Sequence, residues 1–315
     1  MIRFAALLLT AAAPATAQAE RIEILSEALA AEDISTAPGL RVMGAWRLSA
    51  AHRGFGGFSG MTFVDGELLL LSDAGWLVRW TPEADEAEIS PLPDACHHGA
   101  GSHAADAEAI ALTPDGMEIR LALERGNRLC GFSPRAGAEA RSYDLSQVLP
   151  PSGNNGIEAM ATWPRRGTAL IVESKRKGSH QLFWFDSHAG EEQTIAMRYF
   201  APAGFKPGDA AFLPDGRLVV VNRRFGLRKG RSTALTLSPA FTPAIGGSVG
   251  GEVIARLENS PLAANYEGLA VQPTATGATL WLISDDNFAN PRGTILLRME
   301  LDDNFQASAL NSRGS

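Results

Sequence analysis

The chain has 315 residues, 45% of them hydrophobic, enough for one large or two small domains. A formal net charge of -7 and a pI near 5.5 argue against bulk-charge attraction to nucleic acid or an anionic membrane. Aromatic residues make up only 7%, so the sequence offers no stacking platform for bases.

Residues 1–19 read as a signal peptide. Arg3 supplies a short basic start, Phe4 to Ala13 an apolar run, and Ala17-Gln18-Ala19 the small-x-small site for cleavage after Ala19. A retained anchor helix is the alternative, but the run is too short to span a bilayer, and no later stretch has ~18 apolar residues in a row. No twin-arginine pattern is present. A periplasmic or secreted protein without a transmembrane segment is expected. In an oxidising compartment Cys96 and Cys130 could form a disulfide, and the sequence leaves that pairing open. Cys96-His97-His98 with His103 matches no zinc spacing and reads as a polar loop.

Residues 20–40 form a mildly amphipathic lead-in broken by Pro38-Gly39, and Arg41 to Leu48 reads as a strand. Five copies of one unit follow. Each opens with a short strand, turns, and runs into a second strand that ends in a polar cluster. The anchor positions are Ser59, Glu108, Glu158, Asp209 and Glu267, about 49, 50, 51 and 58 residues apart, a period typical of propeller repeats. Asp65-Gly66, Pro114-Asp115-Gly116 and Pro214-Asp215-Gly216 mark hairpins between first and second strands. Each of the first four units has four strand-like runs, and the fifth has only three before a polar tail over 304–315. Arg41 to Leu48 is the natural donor of the missing outer strand. This predicts an all-β chain, one β-propeller of four-stranded blades over 41–303. Five blades are favoured. A sixth would need strands hidden in the lead-in or in the 224–264 region.

First and second strands run antiparallel, so first-strand starts and second-strand ends share one mouth of the central channel. Four of the five anchors there are carboxylates, in positions that disfavour Asp and Glu. A ring of like charges needs neutralisation. Calcium, a hard cation taking flexible oxygen ligands, would do it with Glu108, Glu158, Asp209, Glu267 and Asp285 as metal ligands. Basic residues at the same end, Arg125, Lys175 and Arg223, would do it as a structural network. His103 is the candidate general base, with Arg125 and Arg223 to hold developing negative charge. Lys175, Arg224 and Asn287 are candidate substrate-binding residues. Gly57-Phe58-Ser59-Gly60 lacks the nucleophile-elbow pattern and its strand-to-helix setting.

The sequence resembles the phytase-like domain family, known for "esterase-like activity of phytase". The resemblance rests on Phe58-Ser59-Gly60-Met61 with Leu71-Ser72-Asp73, Asp106-Ala107-Glu108-Ala109-Ile110 and Asn155-Gly156-Ile157-Glu158-Ala159-Met160. It is completed by Asn265-Tyr266-Glu267-Gly268-Leu269-Ala270 with Ser284-Asp285-Asp286-Asn287. It implies an exported β-propeller with hydrolase activity on phosphate or carboxylate esters. The expectation is a monomeric, calcium-assisted esterase or phosphoesterase acting on a small-molecule ester. The alternative is a non-catalytic binding or scaffold propeller of the cell envelope.

Overall fold

The structure, a computed structural model, describes residues 19–31, 34–97, 106–123, 127–133, 140–149, 156–186, 193–226, 230–288, 293–303 and 305. Residues 1–18 of the expected signal peptide, and His98 and His103, lie outside the described residues. Five separate sheets each carry four strands paired antiparallel side by side, and they form five blades. The innermost strands are Phe58–Val64, Ala107–Leu112, Ile157–Trp163, Lys206–Phe212 and Asn265–Thr274. Each contacts the next, and the last contacts the first, so they ring a central channel.

The second strands explain why blades stack. Leu68 to Leu71, Leu218 to Val221 and Leu280 to Ile283 are buried without alternation, because both faces of each blade are covered by neighbouring blades. One apolar cluster fills each of the five interblade spaces. The predicted turns are present. Asp65 and Gly66 both take positive φ, 50° and 92°, as a two-residue hairpin turn requires. At the next hairpin Asp115 Oδ1 accepts the Met117 amide at 3.0 Å and the Thr113 hydroxyl at 2.6 Å.

Leu40–Ser49 pairs antiparallel with Thr294–Asp302, from Leu40 opposite Leu301 to Leu48 opposite Thr294, and completes the fifth blade as expected. The lead-in and the 224–264 region do hide strands, but these extend existing blades rather than build a sixth. Glu20–Glu23 lies on the outer edge of blade 1, Leu25–Ala28 on blade 5 and Ser35–Thr36 on blade 4. Ser248–Gly250 adds to blade 3 in parallel. These short strands cover edge amides and carbonyls that would otherwise be open to another chain.

A register shift recurs where the first and second strands of each blade meet. The register steps over Ser59, Glu108, Glu158, Gly208 and Glu267. Such bulges redirect side chains and concentrate near functional sites. In blade 4 the bulged residue is Gly208, so Asp209 lies one position off the register of the other anchors and pairs with Val221. The longer 158-to-209 sequence spacing hid this offset.

Cys96 and Cys130 form a disulfide with Cα atoms 5.2 Å apart, joining the loop after blade 1 to the third strand of blade 2. Both residues are fully buried, and Cys96 is thereby removed from any thiolate site. The bridge closes a loop spanning a sequence separation of 34 residues. Cys130→Ser is expected to lower unfolding free energy by roughly 2–4 kcal/mol. A denaturant titration of the oxidised wild type against this variant measures the loss.

Candidate functional site

Three blades meet on one guanidinium. Arg223, near the end of the second strand of blade 4, places Nη2 2.6 Å from Glu158 Oε2 and Nη1 2.6 Å from Glu267 Oε1. Glu158 comes from the bulge of blade 3 and Glu267 from that of blade 5. Both carboxylates are almost fully buried. Burial lifts the Glu158 pKa more than Arg223 lowers it, with Glu173 and Glu267 adding repulsion. Burial likewise pushes Glu267 up to about 7 against the pull of Arg223, and Asp285 and Asp73 add to the rise. For Arg223 burial opposes the charge, but Glu267 and Glu158 outweigh it and its pKa rises further. Glu173 has its own partner, Lys206 Nζ at 2.7 Å.

Beside this triplet lies an acidic group from blades 5 and 1. Asp285 Oδ1 accepts the Asn287 amide at 2.6 Å, and Oδ2 accepts the Asn287 side-chain amide and, at 3.4 Å, Asn265 Nδ2. Asn265 also donates to Glu267 Oε1 at 2.6 Å, linking the two groups. Asp286 Oδ1 accepts the Gly57 amide at 2.8 Å and the Phe288 amide at 3.1 Å. Two consecutive aspartates thus each turn the chain onto its own amide two residues on. The turn holds Asn287 and Phe288 at φ 53° and 50°. Left-handed backbone is uncommon for a bulky residue such as Phe and concentrates at functional sites. Gly57, at φ 56°, makes the close approach feasible, since a Cβ there would stand 2.6 Å from Asp73 Oδ1 and against the Phe288 ring. Asp73 is pushed up to about 6 by burial, then by Asp285, Asp106 and Asp286. Burial raises Asp285 as well, with Asp286 adding to it.

Other expected residues have different surroundings. Asp209 is 1% exposed, and its Oδ1 accepts the Ala210 amide at 2.8 Å while Oδ2 accepts the Leu269 amide at 2.7 Å. With a further bond from the Met61 amide it ties the inner strands of blades 4, 5 and 1 together, and burial raises its pKa well above the usual range. Asn222 is fully buried and accepts the Tyr199 hydroxyl at 2.8 Å, which makes it part of the packing between blades 3 and 4. Ser59 donates its hydroxyl to the Ala107 carbonyl at 2.5 Å, a bond between blades 1 and 2. Glu108 is half-buried at the bulge of blade 2. His103 and Arg125 lie outside the described residues.

Blades 3 and 4 supply the bases. Lys175 Nζ reaches the Phe205 carbonyl at 3.3 Å, and the Arg224 guanidinium sits 4.5 Å from the Phe205 ring centroid. Arg256 lies 5.8 Å from the same ring, and Arg224 and Arg256 share Glu258 at 3.3 Å each. Arg176 and Lys177 are exposed at the neighbouring hairpin tip. Phe205, Lys206 and Arg256 escaped the sequence reading because each belongs to a different element from the residue it supports. Asp73, although quoted as a strand end, gave no sign in sequence of its acidic neighbours from blade 5.

Fold and mouth together define a five-bladed β-propeller with a strongly charged, partly buried channel end. The phytase-like family, described as "Esterase-like activity of phytase", matches residues 53–288, and the chain belongs to it. No curated protein matches the chain. Among solved structures it is similar to the glutaminyl cyclase of Myxococcus xanthus, at 14% identity and a TM-score of 0.49 over 84% of this chain and 96% of that one. It is also similar to the Malassezia sympodialis allergen Mala s 1, at 8% identity and a TM-score of 0.49 over 88% of this chain and all (100%) of the other. At these levels the likenesses carry no inference about activity.

The raised carboxyls give stability a definite pH dependence. Each holds its proton to higher pH in the folded chain than in the unfolded one, so the folded state binds more protons between about pH 4.5 and 7. Their contribution is therefore present at low pH and declines as pH rises through that window. Buried His180, with its pKa lowered by burial and by Lys175, works in the opposite sense below its ordinary value. The comparison is accordingly wild type against Glu267→Gln, in which His180 cancels. Chemical unfolding at pH 5 and pH 8 is expected to show a larger fall for wild type than for the variant.

Proposed function

We propose that the chain is an exported hydrolase acting on phosphate or carboxylate esters at this channel mouth, with calcium assisting. The observation that carries the reading is the division of charge around the mouth. Blades 5 and 1 contribute Asp73, Asp285 and Asp286, and blades 3 and 4 contribute Lys175, Lys206 and Arg224, with Arg223 holding Glu158 and Glu267. An ester with an anionic part would meet a cationic wall on one side and a carboxylate wall on the other.

Calcium favours hard oxygen donors, and the Asp73, Asp285 and Asp286 cluster, with the Asp73 proton held up to about 6 by burial and then by its acidic neighbours, offers donors of that kind. Among the described residues no three acidic, histidine or cysteine side chains already converge as a metal cage. Arg223 engages Glu158 and Glu267, so Asp73 and Asp285 are the better candidates to hold the ion. A bound calcium would supply Lewis-acid polarisation of the ester oxygen and a water of lowered pKa. In the protein's own part of the reaction, Lys175 and Arg224 orient the anionic end of the substrate. Glu267, poised near neutrality, takes the proton of the attacking water. Arg223 faces the developing negative charge. His103 and Arg125 stay in the proposal as base and charge-stabilising candidates.

The Cys96–Cys130 disulfide supports export to the periplasm or beyond, together with the signal-like residues 1–19. No described helix is long and apolar enough to cross a membrane. The proposed working form is a monomer.

A second reading, a non-catalytic binding propeller, draws support from one observation: Arg223 already pairs with two of the expected ligands. Calorimetry with calcium on residues 20–315 separates the two. The hydrolase reading expects one bound ion, at least tenfold weaker in Asp73→Asn and Asp285→Asn. It also expects chelator-sensitive ester or phosphoester cleavage that falls about 10²-fold in Arg223→Met. Absence of both binding and cleavage would leave the binding propeller.

A further inference from the structure

The channel has a second end, and its chemistry is different. Below the Asp209 level the five inner strands surround a half-open cavity of about 640 Å³. All five blades line it, through Met61, Ile110, Met160, Phe212 and Leu269 among others. Met61, Ile110, Met160 and Leu269 are about 1% exposed, so the deep wall is closely packed apolar side chain. Arg165 and Asp115 stand among the lining residues as one charge of each sign. Asp115 is already engaged by Thr113 and Met117.

Two physical points make this more than a packing gap. Its volume lies in the range of about 300–1,000 Å³ typical of sites that enclose a small organic ligand. Each inner strand is also the terminal strand of its sheet, so its free edge turns amides and carbonyls toward the channel. The cavity thus combines apolar side chains with backbone hydrogen-bonding groups and carries no net charge among its lining residues. That combination rejects the ions expected at the charged mouth and suits a neutral molecule with an apolar body and one or two polar edge groups.

We propose that this end of the channel is a second binding site, separate from the charged mouth, for an uncharged, ring-bearing small molecule. Trp163 lies at its wall, stacked on Phe212 at 5.6 Å between ring centroids, and extends the apolar surface toward the opening. Asp209, with its carboxylate spent on inner-strand amides, lies between this site and the mouth.

The test uses 1-aminoanthracene, a neutral fluorescent probe, titrated into the full mature chain. Saturable fluorescence enhancement at one probe per chain is expected. Ala211→Phe in blade 4 and Thr62→Phe in blade 1, both at half-buried lining positions, each fill part of the cavity and should weaken binding at least tenfold. Asp285→Asn at the mouth should leave it within twofold. Circular dichroism and the unfolding midpoint establish that each variant is folded, and the two filling variants sit on different blades so that one misfolded protein does not decide the result. Non-saturable binding to wild type, or equal binding by both folded filling variants, would overturn the proposal.

Discussion

Arg223 is the contact on which the mouth depends. It is one cation bound at 2.6 Å to two nearly buried carboxylates from two other blades, with a third carboxylate, Glu173, close by. Removing a partner from such a buried ionic group leaves a charge without compensation, a far larger loss than the pair contributes on its own. Even with Arg223 present, burial wins over attraction, and Glu267 rises to about 7. Burial, more than charge pairing, thus sets the proton affinity of these carboxyls. An excess of carboxylate with raised proton affinity calls for a proton, a cation or a substrate, and that demand underlies the functional reading.

The rest of the fold serves this arrangement. Bulges in the inner strands turn Glu158 and Glu267 toward the guanidinium while keeping the strands paired on either side. Closure of the ring by Leu40–Ser49 fixes blade 5 against blade 1 and so brings Asp285 and Asp286 to Gly57 and Asp73. Asp209 holds the inner strands of blades 4, 5 and 1 from inside the channel. Two ends of different character follow, one charged and one apolar.

Much of this was legible from residue order. The repeated small-or-acidic start, apolar run and Asp-Gly turn reflect local rules, so blade strands and their hairpins could be read directly. The closing strand followed from counting, because blade 5 lacked its fourth run. The edge strands Glu20–Glu23 and Leu25–Ala28 were not legible, since they are mostly exposed and show no alternation. Asp209 was assigned to the acidic ring because its spacing differs by a single residue from the bulge at Gly208. The Arg223 triplet was foreseen only as a choice between metal and base, since pairing across 65 residues of sequence leaves no local mark. The Phe205 platform beneath Arg224 and Arg256 left none at all.

The central claim is that mouth carboxyls titrate near neutrality because burial and like charge outweigh Arg223. Carbon-13 labelling of Asp and Glu carboxyls, followed by nuclear magnetic resonance from pH 3 to 9, measures this directly. Comparison with Asp73→Asn and Glu267→Gln assigns the signals. Carboxyls of Asp73 and Glu267 titrating near 6 and 7, and moving to lower pH when calcium is added, would be the predicted result. If both titrate below pH 5 and ignore calcium, the mouth is already neutralised and the account of its chemistry fails.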